Sequence, residues 1–96
     1  MKIQISGQHI EVTQAIKDHI KKKFEKIEKH FEHLVNVHIV LKVEKKQHVA
    51  EATVHVSRHD FATTTYSEDM YTTINMLVDK LDRQIVKHKG KIQVHH

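Results

Sequence analysis

A chain of 96 residues with 39% apolar and 29% charged side chains, the charges mixed in sign, is long enough for one aliphatic core and excludes disorder. Lysine and arginine (16) outnumber acids (12), with 11 histidines besides, so acidic partners suit the surface, nucleic acid first among them. The lack of cysteine rules out disulfides, thiolate metal sites and thiol nucleophiles, and "MKIQISGQHIEV" has neither a signal-peptide apolar run nor membrane-spanning length. One cytoplasmic domain over residues 1–96 is the expectation.

"KIQIS" alternates, with Ile3 and Ile5 on one face, and predicts a short first strand followed by a turn at Gly7. Thr13 is the expected N-cap of a helix from about Gln14 to about His33. Its apolar positions Ile16, Ile20, Phe24, Ile27, Phe31 and Leu34 form one narrow stripe, so the helix lies on something and is wet elsewhere. "VNVHIVLKV" sets Val35, Val37, Ile39, Leu41 and Val43 on one face of a strand, and the polar "EKKQ" closes a hairpin. "HVAEATVHV" puts Ala50, Ala52, Val54 and Val56 inward, with Glu51, Thr53 and His55 opposite. After a tight connection at "SRHD", "FATTTY" reads as a strand with Phe61, Thr63 and Thr65 inward. Ser67 is the expected cap of a second helix, with Glu68 and Asp69 in its first turn and Met70, Ile74, Leu77, Val78, Leu81 and Ile85 as its buried stripe.

This order predicts an α+β fold, β-α-β-β-β-α, with a four-stranded sheet and two helices packed on one face. The other face, with His38, Lys42, Glu51, Thr53 and His55, is left to water.

Winding each helix at about 100° per residue sorts the charges. Lys22, Lys26, Lys29 and His33 gather on the side of the first helix away from the core, and Lys23, His19 and His30 extend them down one flank. Glu25, Glu28 and Glu32 take the opposite flank, with Asp18 near the outer boundary and Lys17 and Lys21 intruding. On the second helix Lys80, Arg83 and Lys87 share the corresponding sector while Asp79 and Asp82 take the other, so both helices sort charge in the same rotational sense. Lys21–Glu25 and Glu25–Lys29 are ordinary solubilising pairs, but Lys22–Lys26 and Arg83–Lys87 set like charges four apart, a small cost that a polyanion would repay. Phosphate contact is the natural use of such a surface. With only Gly7 and Gly90, the chain has no Gly-x-x-Gly clamp, and its strands lack paired stacking aromatics, so folded RNA suits it better than single strands.

"KIQISGQHIEVTQAIKDHI", "HIVLKVEKKQHVAEATVHV" and "EDMYTTINMLVDKLDRQIVKHKGK" resemble the bacterial ribosome hibernation promoting factors and ribosome-associated inhibitor A, over essentially the whole chain. The resemblance implies binding to the small ribosomal subunit and its rRNA at the decoding region, where mRNA and the A- and P-site tRNAs sit. It also implies silencing of translation in stationary phase. It maps rRNA contacts onto Lys22, Lys23, Lys26, Lys29, Lys80, Arg83, Lys87, His88, Lys89 and Lys91. With no acidic tail or second domain after the last helix, the likeness is to the short form. That form implies whole ribosomes as partners and, indirectly, a separate ribosome modulation factor in pairing them.

Three other readings carry less weight. His30 with His33, and His95 with His96, can pick up transition metals adventitiously, but no spacing predicts a closed ligand set, so no metal or other cofactor is expected. No nucleophile elbow or phosphate-cradling glycine loop is present, so neither catalysis nor a small-molecule substrate is expected. Membrane binding by the first helix is a poor reading, since its apolar stripe is needed to cover the sheet. Tyr71, at the edge of the second stripe, is open to core packing or base stacking, and Met76 points outward without explanation.

Overall fold

The computed structural model describes the backbone of residues 2–30, 34–56 and 59–94, and the side chains of these except His30, Leu34, Val35, Val56 and residues 88–94. The elements run β1 (Lys2–Gln8), α1 (Gln14–His30), β2 (Leu34–Glu44), β3 (Gln47–Val56), β4 (His59–Ser67) and α2 (Met70–Val94). The strands lie in chain order, β1-β2-β3-β4; β1 pairs parallel to β2, and the rest is an antiparallel meander. A parallel pair needs a crossover, and α1 supplies it.

The alternation in each strand decides which face is covered. Val37, Ile39 and Leu41 of β2, Ala50, Ala52 and Val54 of β3, and Thr63 and Thr65 of β4 are buried. The six β2 and β3 residues share one core with Ile16, Ile20, Phe24 and Ile27 of α1 and with Met70, Ile74, Leu77, Val78, Leu81 and Ile85 of α2, while Phe61 packs at its margin. Both helices therefore lie on one face. On the open face, Lys42 Nζ lies 3.0 Å from Glu51 and 3.5 Å from Glu44. The hydrogen bond to Glu51 holds that ammonium above the ordinary lysine pKa. The expected Phe31 and His33 lie outside the described residues, and Leu34 begins β2 rather than closing the α1 stripe.

Thr13 caps α1 as its sequence position requires: the Ile16 N–H donates to its Oγ1 at 3.2 Å and the Lys17 N–H to its carbonyl at 3.1 Å. The other cap is not Ser67. Asp69 holds that place, its Oδ2 accepting the Thr72 N–H at 2.8 Å and the Thr72 hydroxyl at 3.0 Å. Helix begins only at Met70, so Glu68 and Asp69 precede its first turn. Ser67 is occupied otherwise, accepting the Asp69 N–H at 3.2 Å and lying 2.6 Å from the Thr73 hydroxyl. The Thr65 hydroxyl donates to the Thr73 carbonyl at 2.8 Å beneath the start of α2, whereas the buried Thr63 hydroxyl has no hydrogen-bond partner among the described residues.

The Thr72 hydrogen bonds hold the Asp69 carboxyl below its usual pKa. Its contribution to stability is therefore complete above the ordinary carboxylate range and is lost as pH falls through the depressed value. Asp69→Asn keeps an acceptor but not the charge. Urea midpoints should show it less stable than the parent at neutral pH, with the gap closing in acid.

Gly7 does not make a turn. It pairs with Leu41 inside β1, and a Cβ there would lie 2.6 Å from the Ile10 carbonyl oxygen and 2.8 Å from Val12 Cγ2. Glycine is required by the close return of the following loop, and the positive φ falls on His9, at 61°. The β2–β3 hairpin turns on Lys45 and Lys46, with φ of 47° and 69°. Two consecutive residues at positive φ fit a type I′ turn, a geometry that Asn-Gly adopts far more readily than Lys-Lys. Replacing the pair by Asn-Gly should raise stability by about 1 kcal/mol, read from the unfolding midpoint.

Candidate nucleic-acid interface

Lys22, Lys23, Lys26 and Lys29 of α1, and Lys80, Arg83 and Lys87 of α2, are all exposed. His88, Lys89 and Lys91 continue the α2 backbone, but their side chains lie outside the described residues. Two pairs of contacts set the relation between the helices. Near their starts, His19 Nε2 donates to Asn75 Oδ1 at 2.8 Å, and its ring meets Tyr71 edge-on with centroids 4.9 Å apart. Farther along, Lys26 Nζ lies 3.1 Å from Asp79 Oδ1 and 3.9 Å from Asp82 Oδ2. The partners advance together along both sequences, so the helices run parallel.

That direction has an electrostatic result. Two parallel helices that carry cations on the same rotational flank set the basic flank of one against the acidic flank of the other. Asp79 and Asp82 therefore do not stand apart from the cations of α1, as winding each helix alone suggests; they face Lys26. Asp82 is drawn inward to 8% exposure, whereas the half-exposed Lys26–Asp79 pair contributes about 0.2–1 kcal/mol to stability.

The cations consequently form two rows with Asp79 between them. Lys22, Lys23, Lys26 and Lys29 line a groove of about 310 Å³ with Val78, Asp79 and Glu25, so a carboxylate expected on the opposite flank also borders the first row. On the far side of Asp79 a wider cleft of about 710 Å³ opens between α2 and β4, with Lys80 and Arg83 on its wall. Arg83 Nε lies 3.4 Å from the Asp79 carbonyl, and Lys80 Nζ 3.5 Å from that of Thr64. Lys87, four residues beyond Arg83, continues the second row. The arrangement offers two lines of cationic donors on adjacent helices, each able to follow a phosphate backbone.

Sequence reading missed the cleft side. Tyr66 is 60% exposed and Met76 42%, and both line that cleft. The alternation of "FATTTY" places Tyr66 outward, but that β4 lies beside α2 follows only from the lateral order of the strands. Tyr71 is 40% exposed and covers His19 between the helices. Among the described residues no cluster of three or more metal-ligating side chains occurs, and no helix is long and apolar enough to cross a membrane. His59 and Asp60, adjacent in sequence, lie in β4, where the Asp60 carboxylate accepts from His55 Nδ1 at 2.6 Å.

The chain matches known proteins along nearly its whole length. The family model described as sigma 54 modulation protein / S30EA ribosomal protein matches residues 3–93. A ribosome hibernation promoting factor of Pseudomonas putida is 45% identical over 93 residues, 97% of this chain and 91% of the relative. The Escherichia coli K12 protein of the same name is 40% identical over 95 residues, covering 99% of this chain and all of the relative. A ribosomal subunit interface protein from Coxiella burnetii superposes with a TM-score of 0.89 at 29% identity, over 94% of this chain and 99% of the other. The N-terminal domain of Thermus thermophilus protein Y gives 0.86 at 26%, over 92% and 99%. Sequence, strand order and helix placement agree, and the chain belongs to the sigma 54 modulation protein / S30EA ribosomal protein family.

Proposed function

We propose that this protein is a ribosome hibernation factor. It binds the rRNA of the small subunit at the decoding region, silences translation by occupying the path of mRNA and the A- and P-site tRNAs, and favours paired, idle ribosomes together with a separate modulation factor. The observation that carries the reading is the pair of cation rows flanking Asp79, seven described lysine and arginine side chains on two adjacent parallel helices. The relatives named ribosome hibernation promoting factor support the same reading. The role is non-enzymatic: the surface supplies charge and shape, and translation stops because the groove is filled.

Sedimentation through sucrose is the direct test. The protein should travel with small subunits and whole ribosomes, and initiator tRNA should compete with it on purified small subunits; a protein that stays at the top of the gradient ends the proposal. Equal binding to free RNA hairpins would assign it instead as a general structured-RNA binder. Salt gives an independent measure. With six or more phosphates neutralised, affinity should fall roughly a thousandfold or more between about 50 and 200 mM salt, and a flat response would exclude phosphate contact.

A further inference from the structure

The second cation row begins with an apolar residue. Met76, Lys80, Arg83 and Lys87 stand at i, i+4, i+7 and i+11 along α2 and so make one ridge. Met76 faces the α2–β4 cleft together with Tyr66, the most exposed of the large hydrophobic side chains among the described residues. β4 is an edge strand, so nothing in the sheet covers this side. Gln84, also in the cleft lining, keeps its Oε1 buried without a hydrogen-bond partner among the described residues. Phosphate contact alone accounts for Lys80 and Arg83, but it leaves an exposed aromatic ring and a thioether beside them without a role.

We propose that the α2–β4 cleft takes one unpaired nucleotide of RNA, its base stacked on the Tyr66 ring and resting on Met76, and its phosphates held by Lys80 and Arg83. The cleft is open to solvent, and its volume of about 710 Å³ leaves room for one nucleotide lying against its walls. Lys80 and Arg83 stand on the α2 wall, beside the Asp79 carboxylate that also lines the cleft, and Tyr66 stands on β4, a separation that matches phosphate and base in a single strand. Stacking on an aromatic face tolerates any base, so the site senses that a base is unpaired rather than which base it is. The proposal rests on the RNA-binding reading above and adds a single-stranded element to it.

The sequence suits a direct test, because it has two tyrosines and no tryptophan. In Tyr71→Phe, Tyr66 is the sole tyrosine, and its emission reports on stacking. At low salt, an unstructured hexaribonucleotide should quench that emission and bind roughly tenfold tighter than an abasic hexamer of equal charge. With end-labelled RNA and anisotropy as readout, Tyr66→Phe should keep that preference and Tyr66→Ala should lose it. Equal affinity for the two hexamers, a preference that survives Tyr66→Ala, or no binding of either hexamer would overturn the proposal. Continued sedimentation with ribosomes in any of those cases would leave the phosphate-binding reading standing, whereas loss of both would remove the two together.

Discussion

Lys22→Glu with Lys87→Glu, one reversal in each cation row, should cost ribosome affinity on the order of a hundredfold near 0.1 M salt. The magnitude follows from counterion release: each phosphate contact favours binding by about tenfold at that salt, and two are removed. The slope of log affinity against log salt should flatten by about two units. Both side chains are exposed, so the unfolding midpoint should stay near that of the parent. Lys26 is the wrong residue for this test, because its ammonium holds Asp79 and its reversal would crowd three carboxylates in one groove. Asp79→Asn should act in the opposite direction and tighten binding, since it removes the anion that separates the rows. Binding to ribosomes that is indifferent to all three changes would mean that the rows are solubilising decoration.

The largest effect on stability should come from Phe24→Ala, at about 3–5 kcal/mol. Phe24 heads the fully buried side chains and shares one core with both helices and the two central strands, β2 and β3. Its removal leaves a cavity that a sheet on one side and a second helix on the other cannot easily collapse into. A domain of this size has about 5–15 kcal/mol in hand, so the variant should sit near its threshold. Urea unfolding should show a much lower midpoint with an unchanged slope. A small shift would mean that α1 packs more loosely than the structure shows.

Most of the fold is legible because one face of each element is buried and the other is wet. Six apolar positions from Met70 to Ile85, recurring at i+3 and i+4 with Leu77 and Val78 adjacent, have one helical solution, and all six are buried. The period of two in β2, β3 and β4 likewise allows one assignment of faces. Local competition is harder to read. Ser67 and Asp69 are both good caps, and the choice fell to the carboxylate because the serine is engaged by Thr73 beside the buried end of β4. The turn at Lys45 and Lys46 has no glycine or asparagine to announce its positive φ.

The candidate interface was legible to the same depth. The azimuth of each lysine follows from 3.6 residues per turn, and all seven described cations are exposed where that period sets them. The neighbour across the groove does not follow, because winding a helix alone says nothing of which side its partner occupies or in which direction it runs. The facing of Lys26 with Asp79, and the placing of Tyr66, Met76 and Arg83 around one cleft, depend on strand order and helix direction. A sequence yields those only after the topology is known.

The parallel course of α1 and α2 also has a consequence in time. Two helices running the same way cannot be joined by a short loop, and here the whole three-strand meander lies between them, so Lys26 meets a partner 53 residues away. A nascent chain leaving its own ribosome carries the first row alone until β2, β3, β4 and α2 have been synthesised and docked. The two-row surface thus comes into being only when the last helix seats, and a half-made molecule carries only part of it.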